Sequence, residues 1–153
     1  MPNVPGLRSC YAKVGRFVYF GRMLDKIRLH AAGLLPAEYV TNLGEGQGFF
    51  FDGRCCRFLG VPYEELKART LQGGTDEEIL AWVESRGQRR SDDDCMIWNR
   101  FMSKIGWRDD RAAILRDRIA KLGLTQYQLE TGFDYIDYDE GRDPAAERAW
   151  EKI

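Results

Sequence analysis

Four times this chain runs from an apolar residue or alanine into glycine and on to another apolar residue: Ala32-Gly33-Leu34, Leu59-Gly60-Val61, Ile105-Gly106-Trp107 and Leu122-Gly123-Leu124. This pattern ends a helix in a left-handed residue. The glycine avoids the Cβ penalty there, and the next side chain folds back on the last turn. Lys104 and Lys121 precede two of the stops, where a cation suits the helix dipole. Start signals alternate with the stops. Thr75-Asp76-Glu77-Glu78 has the form of a capping box. Ser91 followed by Asp92, Asp93 and Asp94 places a cap and three anions at an N-terminus, and Asp109-Asp110 does the same for the next segment.

Between these signals the apolar spacing is helical. Phe17, Phe20, Leu24, Ile27 and Ala31 make one stripe; Ile79, Trp82 and Val83 a second; Ile97, Phe101 and Ile105 a third. Leu115, Ile119 and Leu122, then Leu129, Phe133 and Ile136, continue the series. The spacing predicts helices at about 10–14, 16–32, 36–43, 53–59, 62–72, 76–86, 92–105, 109–122, 126–136 and 144–152. No run of four to eight residues alternates as a half-buried strand does. Phe49-Phe50-Phe51 comes nearest and has no partner strand. The expected fold class is therefore all-α, a single irregular multi-helix domain with short connections over residues 1–153. At 44% hydrophobic and 31% charged residues, 153 residues suffice for a core.

Composition narrows the function classes. A net charge of −1 argues against a nucleic-acid partner. The longest apolar run, Phe17 to Phe20, is far short of a membrane span, and no membrane association is expected. The opening Met-Pro-Asn-Val-Pro-Gly-Leu-Arg has no apolar core of a secretory signal, so a cytoplasmic location is expected. The charge is uneven. Residues 1–60 carry eight basic and four acidic side chains, whereas the remainder carries 15 basic and 20 acidic. The basic third can dock on the acidic end, or it can hold an anion.

The segment after Phe20 is where chemistry is concentrated. Arg22, Asp25, Lys26, Arg28 and His30 follow an apolar start that should be buried on most sides. Buried unpaired charge would cost several kcal/mol, so partners must exist. One reading is a structural network, with Asp25 bridging Arg22 and Arg28 and Lys26 reaching solvent. The other is a cationic cleft for a carboxylate or phosphate. Asp52-Gly53-Arg54-Cys55-Cys56-Arg57-Phe58 reads as a cap and a short basic helix, whose N-terminal N–H groups suit an anion.

The four cysteines, Cys10, Cys55, Cys56 and Cys95, lack the spacing of a zinc site, and one histidine cannot complete a cluster; no metal or cofactor is expected. Buried structural thiols are the simplest reading. A helix N-terminus can also lower a thiol pKa, which leaves Cys55 or Cys56 as a nucleophile with His30 or Asp25 moving protons. Asp134, Asp137, Asp139, Glu140 and Asp143 crowd around Tyr135, Tyr138 and Gly141 without the register of an EF-hand loop. They are expected to form a solvated acidic turn that meets the basic N-terminal region.

Several blocks carry a resemblance. Phe20-Gly-Arg-Met-Leu-Asp-Lys-Ile-Arg28, Phe51-Asp-Gly-Arg-Cys-Cys-Arg-Phe-Leu-Gly60 and Gly73-Gly-Thr-Asp-Glu-Glu-Ile-Leu80 are similar to a bacterial family of small one-domain proteins, a domain of unknown function. The likeness continues through Trp98-Asn-Arg-Phe-Met-Ser-Lys104, Gly106-Trp-Arg108 and Asp137-Tyr-Asp-Glu-Gly-Arg142. It implies a single-domain cytoplasmic protein and brings no reaction, cofactor or partner.

The leading expectation from the residues is a domain that binds a small anionic molecule between the second helix and the Asp52–Leu59 helix. Arg22, Lys26, Arg28, Arg54 and Arg57 would supply charge, with Asp25 and Asp52 orienting them. The alternatives are an enzyme using a cysteine nucleophile at the same cleft, and a protein-interaction module with an exposed aromatic patch around Trp107, Trp150 or Phe49–Phe51.

Overall fold

Residues 10–14 are not helical. The computed structural model, which describes residues 3–46 and 51–148, forms a hairpin there. β1 (Lys13–Val14) pairs antiparallel with β2 (Phe17–Val18), in register Lys13↔Val18 and Val14↔Phe17. Gly15 opens the two-residue turn at φ +56°, the residue pattern of a type II′ loop. Four residues of strand cannot hold themselves together. They are fastened instead by the helix Asp92–Lys104. Asn99 Oδ1 accepts from Val18 N at 3.0 Å, Asn99 Nδ2 donates to Arg16 O at 2.8 Å, and Trp98 Nε1 donates to Val18 O at 3.2 Å.

The described residues beyond the hairpin are organised by nine helices: α1 (Phe20–Ala31), α2 (Ala37–Val40), α3 (Phe51–Leu59), α4 (Tyr63–Leu71), α5 (Asp76–Arg86), α6 (Asp92–Lys104), α7 (Ala112–Lys121), α8 (Gly132–Asp139) and α9 (Pro144–Glu147). The described residues are mostly helical, with this one small sheet. Phe51 begins α3 and is not a strand residue; Phe49, Phe50 and Trp150 lie outside the described residues.

The stop and start signals act largely as their chemistry requires. Gly33, Gly60 and Gly123 have φ of +69°, +72° and +73°. In each case the following N–H bonds a carbonyl five residues back: Leu34 to Leu29, Val61 to Cys56, Leu124 to Ile119. Gly106 differs. Here α6 stops at Lys104, Ile105 is extended with ψ 130°, and its carbonyl accepts from Gly132 N at 2.7 Å. Both capping boxes form, Thr75 with Glu78 and Ser91 with Asp94. Asp109 does not cap α7, which begins at Ala112; its carboxylate accepts from Gly106 N and Arg111 N, both at 2.8 Å, and closes the loop between α6 and α7. The helix expected over 126–136 starts at Gly132, because Thr131 Oγ1 accepts from Asp134 N and sets the cap there.

α1 is the centre of the core. Every residue from Phe20 to Ile27 is buried, as its all-round apolar start requires. It packs on α4 and β1, while α6 packs on β2 and α8, and α7 on α8. Phe133 of α8 is fully buried against the rings of Tyr11, Tyr19 and Phe51 at centroid distances of 5.1, 6.2 and 5.8 Å. Such pairs contribute about 0.5–1.5 kcal/mol each beyond their burial, which fixes α8 on the N-terminal third. None of the described helices is long and apolar enough to cross a membrane.

Candidate functional site

A cavity of about 480 Å³ opens between α1, α7 and α8. Its floor is set by Tyr19, which precedes α1 with φ +72°, a left-handed conformation rare for a bulky side chain. Strain of this kind costs about 1–3 kcal/mol and persists only where the surroundings hold it. Here the hold is polar and covers both ends of the residue. Tyr19 N donates to Cys10 O at 3.0 Å, and the phenol donates to Asp52 Oδ1 at 2.7 Å and accepts from Lys26 Nζ at 3.0 Å. Burial, and then the Asp52 carboxylate, pushes the Tyr19 phenol well above its ordinary pKa, so it stays a donor.

The two cations of α1 that reach the cavity are already engaged. Lys26 Nζ lies 2.6 Å from Asp52 Oδ1 and 3.4 Å from Asn42 O, besides its bond to Tyr19. Lys26 is therefore buried, not directed to solvent. Arg22 turns its fork onto Glu140: Nη1 donates to Oε2 at 2.9 Å and Nη2 to Oε1, and Nη1 also reaches Arg8 O at 2.9 Å. Tyr39 OH donates to Glu140 Oε1 at 3.1 Å, and Arg142 Nη1 donates to Oε2. Burial pushes the Glu140 carboxyl up, but hydrogen bonds and charge from Arg22 and Arg142 outweigh it and hold the pKa below its ordinary value.

The acidic turn thus meets the basic N-terminal region and is solvated only in part, with Asp143 exposed and Asp139 half-buried. Asp134, Asp137 and Glu140 are all buried. Tyr11 OH donates to Asp134 Oδ1 at 2.7 Å, and Ser9 Oγ to Asp137 Oδ2 at 2.8 Å. Among the described residues Asp137 Oδ1 makes no hydrogen bond, and Arg142 Nη1 lies 3.5 Å from it. Burial raises its pKa to about 6, because Ser9 and Arg142 offset the desolvation only in part.

The remaining expected site residues lie elsewhere. Asp25 pairs with Arg8 at 2.8 Å and, more distantly, Arg28 at 3.8 Å, while Arg28 reaches Asp76 at 2.7 Å; Asp25 does not bridge Arg22. These four residues join the N-terminal segment, α1 and the start of α5. Arg54 lies over the Phe101 ring at 5.4 Å, and Arg57 is exposed. Neither lines the cavity, and from α3 only Phe51 does. Where α1 meets α3, the Lys26–Asp52 pair fills the junction that was expected to be a cleft. His30 is exposed beside a second hollow with Glu45, Glu64 and Lys67. Cys55 and Cys56 are buried, and burial raises both thiols, Cys56 to about 12. Cys56 Sγ faces Met23 Sδ at 3.9 Å. Such thiols are protonated at neutral pH, whereas the attacking form of cysteine is the thiolate.

α7 contributes residues that the N-terminal motifs did not point to. Arg111, Ile114, Leu115 and Arg118 all line the cavity, at the i, i+3, i+4, i+7 spacing of one helix face. The pattern was readable in the sequence; that this face turns toward α1 was not. Tyr135, Ile136 and Asp139 of α8, with Ile105, Gly106 and Gly132, complete the wall. The lining therefore combines four cations, Arg22, Lys26, Arg111 and Arg118, with two carboxylates and a broad apolar surface. No group of three or more metal-ligating side chains occurs among the described residues.

No curated protein matches the chain. Residues 4–142 match the family described as Domain of unknown function (DUF5069), which spans the hairpin, α1 to α8, and every residue that lines the cavity. The chain belongs to this family.

Proposed function

We propose that this protein binds a small amphipathic anion, a carboxylate or phosphate attached to an apolar body, in the cavity between α1, α7 and α8. The observation that carries this reading is the division of labour in the lining. Arg22 and Lys26 are saturated by Glu140 and Asp52, so they shape and charge the floor without offering free bonds. Arg118, exposed on the side of α7 that follows on from Arg111, supplies a guanidinium group for the anionic end. Between them Ile114 and Leu115, with Phe51 and Ile136 opposite, receive the apolar part. A volume of about 480 Å³ lies within the range of small-molecule sites, roughly 300–1,000 Å³. The four cysteines are free thiols, in keeping with a reducing, cytoplasmic setting.

The test is a thermal-shift and calorimetric screen with medium-chain carboxylates, aryl carboxylates and aryl phosphates. A binder at a hundredfold its dissociation constant raises stability by about 2.7 kcal/mol. Arg118→Ala should weaken it at least about tenfold, and Ile114→Asp should abolish binding of the apolar part while the protein still folds. A screen with no binder, or with binders indifferent to both substitutions, would remove this reading.

A further inference from the structure

We propose that residues 107–129, which carry α7, are a lid that swings about the crossing of Ile105 with Gly132 and so opens and closes the cavity. Its purpose rests on the reading of that cavity as a ligand site; the motion itself does not. The chain leaves the core at Ile105 and returns at Gly132, and the two points touch, since Gly132 N donates to Ile105 O at 2.7 Å. Glycines stand on both sides of the crossing. A Cβ on Gly106 would come 3.4 Å from Gly132 N, and a Cβ on Gly132 3.3 Å from Ile105 O. The whole excursion thus joins the body through one narrow neck. Gly106, at φ +92°, gives that neck a residue able to absorb the backbone rotation of a hinge.

Beyond the neck the excursion holds together as a small body of its own. Leu115, Ile119 and Leu129 are buried together, with Leu124 packed on them. Among the described residues, the main apolar core reaches Ile105 and Phe133 on either side of the neck and takes none from 107–129. Asp109 closes the first loop on Gly106 N and Arg111 N, and Gln126 Nε2 donates to Gly106 O at 3.5 Å. On the body side, Glu130 N donates to Asp134 Oδ2 at 3.0 Å and Thr131 Oγ1 lies 3.1 Å from Tyr11 OH, which anchors the returning strand of the neck. Tyr135 of α8, half-buried, packs against the small cluster and is the seat on which the lid rests. A unit that shares so little of the main core opens at a lower free energy than the core unfolds. The lid also carries Ile114 at the cavity wall, 44% exposed, and a ligand that covers it favours the closed state.

Double electron–electron resonance between spin labels at Glu38→Cys on α2 and Ala120→Cys on α7 tests this in the full chain, because the four native thiols are buried. Ligand-free protein should show a main distance and a second one from an open state of about 0.1–10%. Tyr135→Ala removes the seat and should raise the open-to-closed ratio at least about tenfold; Leu129→Ala, from within the lid, is the second variant. A control pair, Glu38→Cys with Arg100→Cys on α6, should keep one distance throughout, and circular dichroism melts confirm that each variant is folded. An aryl phosphate that binds should return the open fraction to the closed distance. The lid is read without ligand, so a screen with no binder would remove the site and leave the lid standing. A single narrow distance in the parent and both variants, or equal broadening of the control pair, overturns the proposal.

Discussion

Lys26 Nζ and Asp52 Oδ1 lie 2.6 Å apart with both side chains buried, so a single ion pair joins the central helix α1 to α3 and holds the strained Tyr19 between them. A buried pair gains little over an apolar pair, but breaking it strands a charge. Asp52→Ala should therefore cost about 3–5 kcal/mol in urea unfolding. Lys26→Met/Asp52→Leu should recover part of that loss. Recovery is partial because Gly44 N, which donates to Asp52 Oδ2 at 3.0 Å, stays unanswered. Strictly additive losses in the double-mutant cycle would show that the two groups do not interact.

Glu140 is a second such centre, since one carboxylate receives Arg22, Arg142 and Tyr39. Glu140→Gln keeps the shape and removes the charge, leaving two guanidinium groups near each other at low exposure. A loss of about 3–5 kcal/mol is expected. Because Arg22 and Tyr39 also line the cavity, affinity for any anionic ligand should change together with stability. A variant as stable as the parent would mean that the negative charge of Glu140 is not what holds the two guanidinium groups together.

Two carboxyls give stability opposite slopes with pH. Asp137 has a folded pKa of about 6 against an unfolded 3.8, so its contribution is complete below 3.8 and is lost as pH rises through 6. That gap amounts to at most about 3 kcal/mol. Glu140 has a lowered folded pKa, and its contribution is lost as pH falls below 4.5. Unfolding measured from pH 3 to 8 should show highest stability on the acid side of neutrality. Asp137→Asn should flatten the decline between pH 4 and 6, and gain on the parent as pH rises. An unchanged slope in that variant would assign the decline to another group.

Two of the glycine stops look alike in sequence and differ in cost. Gly33 has φ +69° and open space where a Cβ would stand, so Gly33→Ala should cost about 1–2 kcal/mol of backbone strain. Gly106 has φ +92°, and a Cβ there would come within 2.5 Å of Leu115 Cδ2 and 3.4 Å of Gly132 N. Gly106→Ala adds overpacking of about 1–3 kcal/mol and displaces α7 at the cavity wall. Chemical unfolding of the pair distinguishes them; equal losses would mean that Leu115 moves aside freely.

The sequence by itself determined what is local. Capping boxes, left-handed glycines and apolar periodicity act within a few residues, so they set a helical fold and located α5 and α6 within a residue. The burial of α1 was also legible, because an all-round apolar start has nowhere else to go, and with it the need for a partner to Arg22, though not to Lys26, for which the residues equally allow solvent. Which partners was a matter of tertiary structure. Arg22 chose Glu140, 118 residues away, over Asp25 three residues away, because a side chain finds whichever carboxylate the packed core brings to it. The hairpin escaped the pattern for the same reason: two-residue strands carry no periodicity, and Asn99 and Trp98 supply from α6 the bonds that hold them. The cavity likewise depends on α7 turning Arg111 and Arg118 toward α1 and on the end of α6 meeting the start of α8, where Gly132 N donates to Ile105 O, and neither is a property of neighbouring residues.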